Sequence, residues 1–251
     1  RLLQTIIGPG RGLEGSSLVR LEGRHRSVGG NALRAAVLGA NDGLVSNLSL
    51  VMGVAGAELS RNAILITGMA GLLAGAGSMA LGEWLSVQSS RELFESEIKQ
   101  EAEELAAVPD EEEEELALVY QAKGLPVDQA RALSKRLMAN RENALDTLAR
   151  EELGIDPEEL GGSPWEAAIT SFVLFALGAI VPLAPFIFLT GSRAVLMSLG
   201  VSAVALFAIG AGITLLTRRG ILRTGLRQVA FGLVAAGLTY GIGRLIGVSL
   251  A

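Results

Sequence analysis

The chain has no cysteine and a single histidine, His25. The first absence excludes a disulfide framework and any thiolate metal site, and leaves the redox compartment unread. The second excludes a multi-histidine metal centre within one chain. Residues 1–30 are rich in Arg and Gly but have neither an apolar core nor a small-residue cleavage site, so they do not read as a signal peptide and the first span is expected to direct insertion. Nothing resembles a nucleotide-binding motif. Basic residues are scarce in one region: 92–159 holds twenty Asp and Glu against seven Lys and Arg, whereas the remainder holds fourteen basic against six acidic residues. Nucleic acid is not expected as a partner of that acidic segment, because phosphate binding needs the opposite sign.

What the chain has in abundance is apolar sequence. Half of its residues are hydrophobic and its mean hydropathy is +0.45. They gather into five runs, at 33–56, 63–85, 167–189, 194–216 and 226–246, each long enough to cross a bilayer as a helix. Arg11, Arg20, Arg24, Arg26 and Arg34 precede the first run, and Arg218, Arg219, Arg223 and Arg227 fill the connection between the fourth and fifth. Cytoplasmic loops carry the excess of Lys and Arg, so both sites belong in the cytoplasm with the acidic segment. The expectation is an all-α membrane protein of five transmembrane helices, with a cytoplasmic three-helix insert between helices 2 and 3. Its parts are a basic arm at 1–30, helices 1 and 2 at 31–90, the acidic insert at 91–163 and helices 3 to 5 at 164–251. Glu22 and His25 have the i, i+3 spacing of carboxylate-bridged metal sites. No helical pattern surrounds them, and a solvated arm is the better reading.

Asp42 stands near the middle of the first run, which carries no other charge after Arg34. A charge at that depth costs about 2.5–3.5 kcal/mol on insertion scales, so it needs a reason. It either packs between helices, satisfied by Asn41, Ser46 or Asn47, or it serves an ion pathway. In the second run Met79 and Glu83, four apart, share a helix face. The pairs Gly39/Gly43, Gly71/Gly75, Gly237/Gly241 and Gly243/Gly247 let helix backbones approach closely in lipid.

The second run lacks Pro and Gly from Glu92 to Ala107, so it is expected to continue as one helix into the cytoplasm until Pro109. A second insert helix follows to about Lys123, and a third spans 127–153. Glu97, Glu101 and Glu104 form one stripe, Glu112 and Glu115 share a face, and so do Met138 and Glu142 on the expected third helix. Lys99 is the only base between Arg91 and Lys123. Stacked like charges repel, and a divalent cation would remove the repulsion. Carboxylates suit hard ions, and a thioether shifts the preference toward Fe²⁺ or Mn²⁺.

These features resemble the vacuolar iron transporters, a family that includes yeast and bacterial iron and manganese members. The resemblance rests on Gly39-Ala40-Asn41-Asp42-Gly43-Leu44, on the segment 70–84 with Gly77-Ser78-Met79-Ala80-Leu81-Gly82-Glu83-Trp84, on the acidic insert, and on Pro182-Leu183-Ala184-Pro185-Phe186. It implies a homodimer in membrane lipid that is no enzyme and holds no permanent cofactor. Its substrate would be Fe²⁺, with Mn²⁺, Co²⁺ or Zn²⁺ accepted by similar ligands, exported from the cytoplasm against protons. Carried over, Asp42, Met79 and Glu83 would line the pathway, and Glu101, Glu104, Glu112, Glu115, Met138 and Glu142 would bind metal. A bacterial inner membrane is the expected location. A metal sensor or buffer that transports nothing is the competing reading, and Asp42 is the residue it leaves without a use.

Overall fold

The computed structural model of the chain describes residues 28–157, 160, 162–217 and 220–250, with the side chains of 28–36, 141, 142, 215–217 and 248–250 left aside. Residues 1–27 of the basic arm, including Glu22 and His25, lie outside the described residues. Among the described residues eight helices follow one another: α1 (Val28–Gly56), α2 (Arg61–Ala107), α3 (Pro109–Ala122), α4 (Val127–Met138), α5 (Arg141–Glu151), α6 (Pro164–Phe188), α7 (Gly191–Thr217) and α8 (Ile221–Leu250). Five of them, α1, α2, α6, α7 and α8, are long and apolar enough to cross a membrane. The all-α, five-span expectation holds, and the chain is a multi-pass membrane protein. It divides into two compact units, one of residues 1–72 and 174–251, the other of residues 73–173.

In the first unit α1 packs on α7 and α8, and α7 packs on α8. Leu44, Leu48, Val51 and Met52 of α1 are fully buried with Leu183, Phe186, Leu206 and Ala236. The outer faces are apolar and bare, with Ile66, Val204 and Leu245 at least 70% exposed, as lipid contact requires. Glycine sets the approach of α1 to α6. A Cβ on Gly43 would lie 2.1 Å from the Phe175 carbonyl oxygen, and one on Gly178 would lie 2.1 Å from that of Ala40. Polar side chains then join the helices in a medium without water: Asn47 Nδ2 donates to the Ala179 carbonyl at 2.6 Å, and Ser198 Oγ to that of Pro182 at 2.6 Å.

The helix ends follow local chemistry. Ser60 caps α2, its Oγ accepting from the Ala63 N–H at 3.3 Å. The last carbonyls of α6 accept from Arg61, whose Nε reaches Phe186 at 2.8 Å and whose Nη bonds Ile187. The 47 residues of α2 span about 70 Å at about 1.5 Å each, over twice the hydrocarbon thickness of about 30 Å. Only its apolar first half can be membrane, so the helix must run on into water.

In the second unit the sequence expectation needs one correction. Residues 127–153 form two helices, α4 and α5, not one, so the insert comprises the end of α2 and three further helices. The Asn140 carbonyl accepts from the Ala144 N–H at 2.8 Å, opening α5 at a residue type that favours helix N-termini. Leu116, Ala130, Ala144 and Leu148 are fully buried and make the small core of this unit.

The close α1–α6 approach predicts that Gly178→Ala loses about 1–3 kcal/mol to overpacking. Gly212→Ala, which would meet nothing within 4 Å, should stay within about 0.5 kcal/mol of the parent. Thermal melts in detergent micelles read both.

Candidate metal centre and span carboxylate

Three carboxylates converge in the second unit. Glu101 comes from α2, Glu112 from the first turns of α3, and Glu152 from the turn that follows α5. One oxygen of each lies within 4.8 Å of the others. Glu101 and Glu112 are buried, at 5% and 4% exposure, and Glu101 Oε1 has no hydrogen-bond partner. Each element delivers its carboxylate for a local reason. Glu101 falls on the α2 stripe with Glu97 and Glu104. Glu112 lies where acidic side chains favour the helix dipole. Glu152 extends the buried stripe of Ala144 and Leu148 by one turn.

Electrostatics mark the cluster as short of positive charge. The Glu101 carboxyl is pushed up from 4.5 to about 7, first by burial, then by the charges of Glu152 and Glu112, by a hydrogen bond to Glu112 and by Glu104. Glu112 is raised by burial and by Glu115, Glu104 and Glu111, and is partly offset by accepting the Glu101 proton. Glu152 is raised by burial, by a hydrogen bond to Glu115 and by the charges of Glu115, Glu112 and Glu104. Glu101, Glu104, Glu112 and Glu115, all expected from the sequence, therefore act on one another around Glu152. Two buried carboxylates and the exposed Glu152, with an unpartnered oxygen on Glu101, hold a proton when empty and offer hard oxygen ligands to a divalent cation.

Glu152 is the member that sequence reasoning missed. The resemblance implied Met138 and Glu142 as further ligands, a pair that shares a face only on one continuous helix. In the structure Met138 ends α4 and Glu142 lies in the first turn of α5, so the two share no helix face; the Glu142 side chain lies outside the described residues. The signal was the 144, 148, 152 spacing. The residue four before Glu152 is Leu148, fully buried.

In the first unit Asp42 is exposed on α1, and its carboxylate makes no hydrogen bond or ion pair among the described residues. The neighbours expected to satisfy it are occupied elsewhere. Asn41 Oδ1 accepts from Gln228 Nε2 of α8, Asn47 donates to α6, and Ser46 Oγ donates at 2.6 Å to the carbonyl of Asp42. Asn41 and Asn47 tie α1 to its neighbours, Ser46 bonds within its own helix, and the Asp42 carboxylate stays open. The Asn41–Gln228 bridge was not legible in the sequence, since it joins residues 187 positions apart. Met79 and Glu83, both half-buried on α2, belong to the second unit. Beside them the Trp84 and Trp165 rings meet edge to face at 6.0 Å.

Residues 33–244 match the model of the VIT family. The chain belongs to that family. It is 30% identical over 218 residues to vacuolar iron transporter 1 of Oryza sativa subsp. japonica, covering 86% of each chain. To the vacuolar iron transporter of Acanthamoeba castellanii it is 34% identical over 253 residues, 98% of this chain and 88% of that one. To vacuolar iron transporter 1 of Arabidopsis thaliana it is 28% identical over 218 residues, 86% and 87% of the two chains. The span carboxylate and the acidic insert both fall within the region matched to the VIT family.

The raised Glu101 carboxyl sets a pH dependence. Between about 4.5 and about 7 the folded unit holds a proton that the unfolded chain has lost, so stability is fully present below 4.5 and falls as pH rises through 7. A bound divalent cation replaces that proton and should restore stability above pH 7. Both tryptophans belong to this unit, so their fluorescence in the full chain reads its melting. The expected result is a midpoint that drops from pH 5 to 8 and recovers with Mn²⁺ at pH 8.

Proposed function

We propose that the chain exports Fe²⁺, and Mn²⁺ through the same ligands, from the cytoplasm in exchange for protons, as a homodimer. The observation that carries the proposal is the Asp42 carboxylate, exposed on a transmembrane helix and without a hydrogen bond or ion pair among the described residues, while Asn41, Ser46 and Asn47 beside it each make a hydrogen bond elsewhere. The names of the relatives support iron as the substrate, and a carboxylate set alone would accept Co²⁺ or Zn²⁺ as well. The family and the named relatives are transporters, and this chain works as a transporter, not an enzyme.

The acidic cluster supplies the first step. Glu101, Glu112 and Glu152, flanked by Glu104 and Glu115, take a divalent cation from the cytoplasm and release the proton shared by Glu101 and Glu112. A cluster that is partly protonated when empty exchanges H⁺ for metal without leaving its carboxylates uncompensated. Asp42 performs the second exchange within the membrane. A single carboxylate there can hold a proton or a cation but cannot remain bare in hydrocarbon, so metal entry and proton release are linked at one group. Met79 and Glu83 serve as a soft ligand and an inner relay. The face of α1 that carries Leu38, Asp42 and Ser46 is exposed on the protomer, and a second copy placed against it would enclose the path. A cell membrane, bacterial by expectation, fits export from the cytoplasm; the word vacuolar belongs to the relatives' names.

A sensor or buffer would need the acidic cluster and nothing more. Asp42→Asn keeps the size and one oxygen but removes the exchangeable proton. Metal-dependent proton movement in proteoliposomes with an internal pH dye should fall to background, while Mn²⁺ still shifts the tryptophan melt. Unchanged coupling in Asp42→Asn would reject the exchange role. Glu112→Gln should do the reverse, weakening metal binding by about 10–100-fold and leaving Asp42-dependent exchange at saturating metal. A protein active in transport as a strict monomer in cross-linking assays would refute the dimer.

A further inference from the structure

A cavity of about 680 Å³ opens in the first unit, between the connection from α1 to α2, the connection from α6 to α7, and Tyr240 of α8. Its size is that of an ordinary small-ligand pocket, about 300–1,000 Å³. Its lining includes the polar Glu58, Arg61, Ser192 and Tyr240 and the apolar Ile64 and Leu196. Leu196 is 69% exposed, so the apolar lining continues to the outside of the bundle.

Two charges define what such a pocket can hold. Arg61 spends two donors on the carbonyls that end α6, and a guanidinium has five, so three remain. The Glu58 carboxylate has no hydrogen bond or ion pair among the described residues. Its backbone has φ 57°, the left-handed conformation that closes a helix and that glycine adopts with least strain. The Glu58 N–H closes α1 on the Ala55 carbonyl at 3.1 Å, so the turn needs this conformation and the chain still carries a side chain there. One guanidinium and one carboxylate give the pocket no net charge. A lone divalent cation or a lone anion meets one attractive and one repulsive group; a zwitterion with a phosphate and a primary ammonium meets two attractive ones. The cavity lies where four membrane spans begin or end, the depth of lipid headgroups.

We propose that this cavity seats a phospholipid with a phosphoethanolamine headgroup, its phosphate on Arg61 and the Ser192 and Tyr240 hydroxyls, its ammonium on Glu58, and its first methylenes against Ile64 and Leu196. Phosphatidylcholine has the same phosphate but a quaternary ammonium that cannot donate a hydrogen bond, and phosphatidylglycerol has no ammonium. Glu58 is therefore the selecting residue.

The test uses the purified full chain in detergent micelles doped with each lipid in turn, read by thermal melting and by native mass spectrometry for retained lipid. Phosphatidylethanolamine should raise the melting midpoint and be retained in preference to the other two. Glu58→Gln should abolish the preference and leave the midpoint in phosphatidylcholine unchanged. Glu58→Gly removes the carboxylate and relaxes the turn, so it should fold at least as well and lose the preference too. Equal stabilisation by the three lipids, or a preference that survives in both variants, would overturn the proposal. Protection by soluble phosphoethanolamine as strong as that by the lipid would also overturn it, because the ligand would then be a free headgroup.

Discussion

A membrane span has no water to satisfy a polar side chain, so each one it carries must find a partner inside the protein or serve an ion. α1 carries Asn41, Asp42, Ser46 and Asn47 within seven positions, and their partners order the bundle around it. Asn41 is tied to Gln228 of α8, Asn47 to the backbone of α6, and Ser46 to its own helix. The tie to α6 is possible because Gly43 and Gly178 remove the two Cβ atoms that would hold the helices apart. Small residues bring the backbones together, amides fasten them, and the aspartate is what remains.

The second unit meets the complementary constraint. Its core is short, built from Leu116, Leu148 and a few alanines, and two carboxylates are buried beside it. Burial penalises the charged form of each, and their neighbours add like charge rather than relieving it. The helices that bring them together could separate and expose them to water, were it not for the apolar stripe on which Glu152 follows Ala144 and Leu148. Packing thus holds a set of acids in a place that charge alone would not allow. The unit is complete only with a positive species in the cluster, whether a proton or a metal ion.

The sequence made the spans, the acid segment and the four insert glutamates on α2 and α3 legible, because each depends on composition or on spacing within one helix. Asp42 was legible for the same reason, a charge in an apolar run. Glu152 was not, because its place depends on where one helix ends and the next begins, and Asn140 divides 127–153 without a proline or glycine to announce it. The i, i+4 rule linked Met138 to Glu142 across a break that only tertiary structure reveals. Gln228 and the pocket at Glu58 were hidden by distance: each joins helices far apart in the chain, and neither Gln in a span nor Glu in a turn reads as unusual alone.

The two acidic sites also differ in how much charge each could balance unaided. In the insert, a proton on Glu101 is shared with Glu112 and the remaining charge is spread over Glu104, Glu115 and Glu152, so an arriving cation displaces one proton and meets several oxygens. The Asp42 carboxylate makes no hydrogen bond or ion pair among the described residues. A divalent ion held there by one carboxylate alone would keep a positive charge that the span must still offset. Two copies facing each other across α1 would bring two carboxylates to the ion and neutralise it. On the proposed exchange reading, a second copy is one way to supply that charge, and the stoichiometry of Asp42 per ion is the quantity on which the reading depends.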